Sequence, residues 1–239
     1  RPIVTAGVVS LEPGPSLEEL KASHAAFTEM GIYFRALLEE RKKISRNDLI
    51  SALIEVEESG DRISEDEVVS LIILLFVAGM ETTQNLIGNS LAALFRNPSE
   101  HRRLWDAPEL VPSAVEETLR WDSPVQIDGR NVLESAEING VGIEKGRSIV
   151  TLLGAANRDP YKFSDPDEFI VSRDEGPPLS FASGIHYCLG ANLARAEGQE
   201  MLAGLIRRFS SIKQAGELEQ RGRMTLRGFK SVPVSVTPR

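Results

Sequence analysis

Phe181 to Glu197 reads FASGIHYCLGANLARAE and holds the chain's one cysteine, Cys188. Glycines at 184 and 190 bracket that cysteine, so the backbone can turn sharply and come close to a large flat ligand before Ala191 opens a run of small residues that suits a helix. Taken alone, a cysteine in an otherwise cysteine-free chain is more often a small buried hydrophobe than a ligand. The surroundings argue for more. The pattern Phe-x-x-Gly-x-His-x-Cys-x-Gly, completed by Ala-x-x-Ala-Arg, forms a loop feeding a helix. A thiol just before a helix N-terminus meets the positive end of the dipole and first-turn amides, which favour the thiolate, the form that ligates a metal. A zinc site is the competing reading. It needs further clustered Cys or His, whereas the other histidines besides His186 are His24 and His101.

Upstream of this loop the pattern is mainly helical. Arg1 to Pro15 reads as an irregular lead-in because of its prolines and glycines. Ser16 with Glu19 is a capping box, and Leu17, Leu20, Phe27, Met30, Phe34, Leu37 and Leu38 follow at helical spacing to about Lys43. Asp48 to Glu57 is a shorter helix closed by Ser59-Gly60. Ser64 and Glu67 then cap a long helix to about Phe95, apolar nearly all round between Val68 and Ala78, which predicts a path through the interior. Helices follow at Ser99–Trp105 and Val111–Trp121. Arg130 to Leu133, Ala136 to Ile138 and Ser148 to Val150 read as strands of a small sheet. Phe163 to Pro178 is a long irregular stretch, unusual unless it serves a site. After a helix from Ala191 to Phe209, Met224 to Leu226 and Val232 to Val236 suggest a closing β-pair.

Three further constellations carry chemistry. In Ala78-Gly79-Met80-Glu81-Thr82-Thr83, Gly79 costs about 1 kcal/mol mid-helix relative to alanine, and Thr82 can bond back to the Ala78 carbonyl, so the helix is expected to bend there. A packing notch with an exposed Glu is the plainer reading. Glu117 and Arg120, three apart on a helix, are ordinarily an exposed pair worth a few tenths of a kcal/mol. Asp128-Gly129-Arg130 is by itself a turn entering an edge strand, and His186 by itself is a loop histidine.

Together these motifs, with Ala155-Ala156-Asn157-Arg158-Asp159-Pro160, resemble the cytochrome P450 family, in its order and relative spacing. The wording AGMETT and FASGIHYCLG is similar to soluble bacterial members. The resemblance implies a mainly α fold with small β-sheets and a haem b cofactor whose iron is held by the Cys188 thiolate. It implies a cradle at Phe181, Gly184 and Gly190, and propionate contacts from His186 and Arg130. Ala78 and Gly79 would leave space over the iron, and Glu81 and Thr82 would deliver protons to bound O2. Glu117 and Arg120, joined by Arg173 as the expected third member, would form a buried charge network that holds the haem loop. One departure is Ala182, where the family often has a second glycine, and a single methyl there is expected to be tolerated.

At 239 residues and 41% hydrophobic content, the chain can bury a substantial core, and residues 1–239 are read as the C-terminal haem-binding portion of a P450 domain. P450 chains are longer, and the N-terminal helices of that fold are expected to be missing here. The implied activity is a monooxygenase, or the catalytic part of one, that takes electrons from a ferredoxin or flavoprotein donor and inserts one oxygen atom into an apolar small-molecule substrate. The alternative is a truncated, non-enzymatic haem-binding or partner-binding module, and a separate N-terminal P450 portion is a further expected partner. A net charge of -8 gives no general reason to bind nucleic acid. A single cysteine cannot form an internal disulfide, which suits a reducing cytoplasm. The uninterrupted apolar run Leu71 to Gly79 is far shorter than the ~20 residues of a bilayer span, so no membrane span is expected.

Overall fold

A computed structural model describes residues 2–58 and 63–239, so the expected Ser59-Gly60 cap lies outside the described residues. Two compact units are present, residues 1–81 and 82–239, and the boundary falls inside one helix.

In the first unit, the segment read as an irregular lead-in is ordered as a short helix, α1 (Pro2–Gly7), and a 3-10 turn (Val8–Leu11). Val4 and Val8 are buried, and the buried Ser23 hydroxyl donates to the Gly7 carbonyl at 2.8 Å. The sequence view weighted the prolines, but Pro2 sits in the first turn, where its missing N–H costs nothing. The long helix α2 (Leu17–Lys43) begins at the expected box: the Ser16 amide donates to Glu19 at 2.8 Å and the Glu19 amide to the Ser16 hydroxyl at 3.2 Å. Ala26, Met30, Phe34 and Leu38 are its buried stripe, and Phe34 meets Phe76 edge-on at 5.4 Å. The chain continues through α3 (Leu49–Glu58) into α4 (Glu65–Arg96), which opens at the Ser64–Glu67 box.

The helix α4 corrects the argument from run length. It has 32 residues and an 18-residue window of mean hydropathy 1.5, so by length and composition it is apolar enough to cross a membrane. Its polar residues show how it is used. Asn89 is fully buried and donates to the Asp122 carbonyl at 2.8 Å, and the buried Ser90 hydroxyl donates to the Leu86 carbonyl, as in a core helix, whereas Leu74, Phe76 and Ala78 are exposed, so the path through the interior expected for Val68 to Ala78 is only partly taken. Helical structure runs unbroken through Gly79.

The second unit adds α5 (Pro98–Asp106), α6 (Val111–Trp121), a one-turn α7 (Leu153–Ala156) and α8 (Ala191–Arg208). Its core joins Leu86 and Leu94 of α4 to Val115 and Leu119 of α6 and Leu202 and Ile206 of α8. Among the described residues, eight short strands form four antiparallel pairs. The strands β1 (Asp128–Asn131) and β4 (Ser148–Thr151) pair with Arg130 opposite Ile149, while β2 (Ala136–Ile138) pairs with β3 (Val141–Ile143), so the expected sheet is two ribbons. The closing pair also differs from expectation. The last strand, β8 (Val234–Pro238), pairs with β5 (Phe209–Gln214), whereas Leu226 makes a single bridge to Val125. Only Ile212 of β5 is fully buried, so the strand lacks the run of apolar side chains that announces one. A last ribbon joins β6 (Glu219–Gln220) to β7 (Phe229–Ser231).

Close packing around α8 depends on Gly198, where an added Cβ would lie 3.2 Å from Val115 and 3.3 Å from Leu86. Gly198→Val is expected to cost about 1–3 kcal/mol of unfolding free energy through overpacking, read from denaturant titration. An unchanged midpoint would mean that α6 and α8 are not this close.

Candidate functional site

The anchor of the site is a buried charge cluster at the end of α6. Arg120 forks onto Glu117, Nε to Oε2 at 2.7 Å and Nη2 to Oε1 at 2.9 Å, with both side chains 2% exposed or less. Arg173 adds its Nε to both Glu117 oxygens at 3.2 Å, and the Ile170 amide donates to Oε1 at 2.8 Å. The remaining donors of Arg120 go to main-chain carbonyls of Asn157, Pro166 and Glu168. Arg173 also reaches the Ser164 carbonyl and Glu175 at 2.6 Å each. Hydrogen bonds from Ser164 and Arg173 hold the Glu175 carboxyl down at about 2. Glu117, Arg120 and Arg173 are thus brought together around the irregular segment that leads to the cysteine loop.

Two neighbours complete this support. Asn157, fully buried, donates to the Ser180 hydroxyl at 2.8 Å and accepts from the Leu179 amide at 2.7 Å, while Ser180 donates to the Leu119 carbonyl at 2.6 Å. Arg158 lies over the Trp121 ring at 4.9 Å and donates to the Trp121 carbonyl. Both lie in the run Ala155 to Pro160, whose fit to a known pattern was visible in the sequence although the roles of these two side chains were not.

The loop itself starts with a 3-10 turn at Leu179–Phe181 and a second at Gly184–His186. Phe181 is buried, and its carbonyl accepts the Cys188 amide at 3.0 Å, which fixes the cysteine beside the ring-bearing residue. Gly184 has φ +70°, a conformation that favours glycine, and an added Cβ at Gly184 or Gly190 would meet nothing within 4 Å. Cys188, His186, Gly184 and Gly190 are all exposed. So are Ile185 at 98%, Leu189 at 86% and Leu193 at 64%, an apolar set around a free thiol. Ala182 corrects the expectation of easy tolerance: its φ of 56° and ψ of -157° lie in a region that is nearly glycine-only, so its methyl costs backbone strain.

Other expected residues stand elsewhere. Arg130 on β1 turns its guanidinium back to Asp128 at 2.5 Å and to the Gly129 carbonyl at 2.8 Å. On α4, Ala78 and Gly79 are exposed, Glu81 is 2% exposed and Thr82 is half-buried. A cavity of about 270 Å³ includes no residue of the cysteine loop and is lined by polar groups of Asp122, Ser123, Gln126, Arg158 and Arg227. Burial there pushes the Asp122 carboxyl up, against the pull of Arg227 at 2.7 Å.

The sequence pattern described as "Cytochrome P450" matches residues 13–107 and 108–231. The chain belongs to the cytochrome P450 family. It is 40% identical over 225 residues to a putative cytochrome P450 133B2 of Xylella fastidiosa, covering 93% of this chain and 56% of that protein. It is 42% identical over 204 residues to the biotin biosynthesis cytochrome P450 of Bacillus subtilis, covering 85% of this chain and 51% of that one. Among solved structures, P450BioI in complex with an acyl carrier protein ligated with hexadec-9Z-enoic acid superposes with a TM-score of 0.92 at 37% identity, over 98% of this chain and 60% of that one. The chain spans about half the length of the curated relatives it matches.

The P450 family binds haem b, and the loop has the features such a group requires. The thiol is accessible, the two glycines leave open space, and exposed Ile185, Leu189 and Leu193 offer an apolar surface to a flat macrocycle.

Two outcomes test this arrangement. Glu117→Ala strands two buried guanidinium groups and should cost ~3–5 kcal/mol by denaturant titration, and a loss below 1 kcal/mol would contradict the buried cluster. Ala182→Gly releases the strained backbone and should raise stability by about 1 kcal/mol, seen as a higher thermal midpoint. A lower midpoint would show that the methyl packs favourably enough to outweigh the strain.

Proposed function

We propose that this chain is the haem-bearing, catalytic part of a P450 monooxygenase acting on an apolar small molecule. The observation that carries the reading is the exposed Cys188 thiol just before α8, with exposed apolar residues in the same loop and a main-chain bond to Phe181. When bound, haem supplies the activation of O2 that no side chain can perform.

The protein's part is binding, orientation and proton handling. Cys188 would hold the iron through its thiolate, and its main-chain tie to Phe181 fixes the residue's place in the loop. Ile185, Leu189 and Leu193 would offer apolar surface to the ring. His186 and Arg130 are assigned to the propionates, which requires the Arg130 fork to leave or share Asp128, and a guanidinium is well suited to a carboxylate. Gly79 presents no side chain and Ala78 only a methyl, so this part of α4 leaves room for O2. The Thr82 hydroxyl both donates and accepts, and a carboxyl such as that of Glu81 can pass a proton on, which suits a relay. Electrons would come from a ferredoxin or flavoprotein. Leu74 at 61% and Phe76 at 37% exposure on α4 favour a second, N-terminal P450 portion as the partner that covers apolar surface. A reducing cytoplasm is the proposed compartment.

The deciding experiment is the spectrum of the reduced, carbon monoxide-bound protein. Wild type should show the thiolate-type Soret band and Cys188→Ser should lose it, whereas a wild type without that band would remove the basis of the proposal. Thr82→Ala should leave haem content unchanged while a larger share of consumed oxygen fails to appear as product. Coupling equal to wild type would rule out the hydroxyl's role.

A further inference from the structure

The aromatic residues on either side of the ligand loop share one cation. Arg195, in the second turn of α8, forks onto Glu116 of α6, Nε to Oε1 at 2.5 Å and Nη2 to Oε2 at 3.2 Å. Its Nη1 donates to the Tyr187 hydroxyl at 3.1 Å, and its guanidinium carbon lies 4.5 Å from the centre of the Phe181 ring. Phe181 and Tyr187 also meet edge-on at 6.5 Å. Tyr187 immediately precedes Cys188, and the Phe181 carbonyl accepts the Cys188 amide. One guanidinium therefore grips the chain at both points that fix the cysteine: its covalent neighbour and its hydrogen-bond partner.

A surface charge pair alone would not need this geometry. With side chains 21% and 31% exposed, the Arg195–Glu116 pair is worth little as a salt bridge. What distinguishes it is the use of the planar fork for three tasks at once, which a lysine cannot reproduce. The bonds to Glu116 hold the guanidinium further above its ordinary value, so its charge persists at any working pH. We propose that Arg195 is a positioning residue for the thiolate loop, fixing Cys188 through Phe181 and Tyr187 with Glu116 as its anchor on α6. This rests on the reading of Cys188 as haem ligand.

The test uses the full chain with Arg195→Gln, Arg195→Lys and the exchanged pair Arg195→Glu with Glu116→Arg. In haem-free protein, Arg195→Gln should speed hydrogen exchange at the Cys188 and Tyr187 amides by about 10-fold, with core amides of α6 and α8 unchanged. In haem-loaded protein it should weaken the carbon monoxide thiolate band, and Arg195→Lys should not restore it. The exchanged pair restores the ion pair but should not restore the band, because no cation then reaches Phe181 and Tyr187 from α8. Unchanged exchange at Cys188, or full recovery of the band in the exchanged pair, overturns the proposal. A wild type that lacks the band yet shows the exchange effect would defeat the haem reading and leave Arg195 as a clamp on the loop.

Discussion

The burial of one carboxylate, Glu117, governs the second unit. With its side chain 1% exposed, it must be fully paired, and it receives Arg120, Arg173 and the Ile170 amide. The two arginines then spend their remaining donors on the irregular segment between α7 and the first turn of the cysteine loop. That segment has no sheet or helix to satisfy its carbonyls, so the guanidinium groups do so. The net energy of such a cluster is modest because desolvation opposes the attraction, but disrupting it is costly. It therefore enforces one shape for the segment more than it adds stability.

From that shape the rest follows in order. Asn157 and Ser180 connect the segment to the Leu119 carbonyl, so the loop begins at a fixed point on α6. The turns at Leu179–Phe181 and Gly184–His186, with the Phe181–Cys188 hydrogen bond, then deliver the sulfur to the start of α8. The strained Ala182 sits in this path. Ser180, Phe181 and Tyr187 of the cysteine loop are thus tied to α6 or α8, the pair whose close packing depends on Gly198.

The sequence was most informative where function or capping restricts residue choice. Both capping boxes and the helices α2, α4, α6 and α8 could be read directly, because local spacing encodes them, whereas the grouping of Arg173 with Glu117 and Arg120 came from the resemblance to the cytochrome P450 family. Strand partners could not: β5 and β8 are short, nearly free of buried side chains and joined only by non-local pairing. The Arg195–Glu116 contact joins residues far apart in the chain, so no spacing announces it. At Ala182 the residue type was visible, but the cost lies in a backbone angle that only the folded chain reveals.

The use of main-chain carbonyls by Arg120 and Arg173 has an evolutionary consequence. Every residue type carries a carbonyl, so the side chains at Pro166 and Glu168 are open to drift while the contour of the segment is kept, whereas the Ser164 side chain also bonds Glu175 and the φ of 41° at Asp165 restricts its residue type. The exclusion falls on donors instead. Ile170 and Val171 give their amides to Glu117 and Glu100, so proline is the residue that these two sites cannot accept. Related chains can therefore diverge widely in the letters of this stretch while tracing the same path, provided that its two amides and the three charged residues beneath it remain.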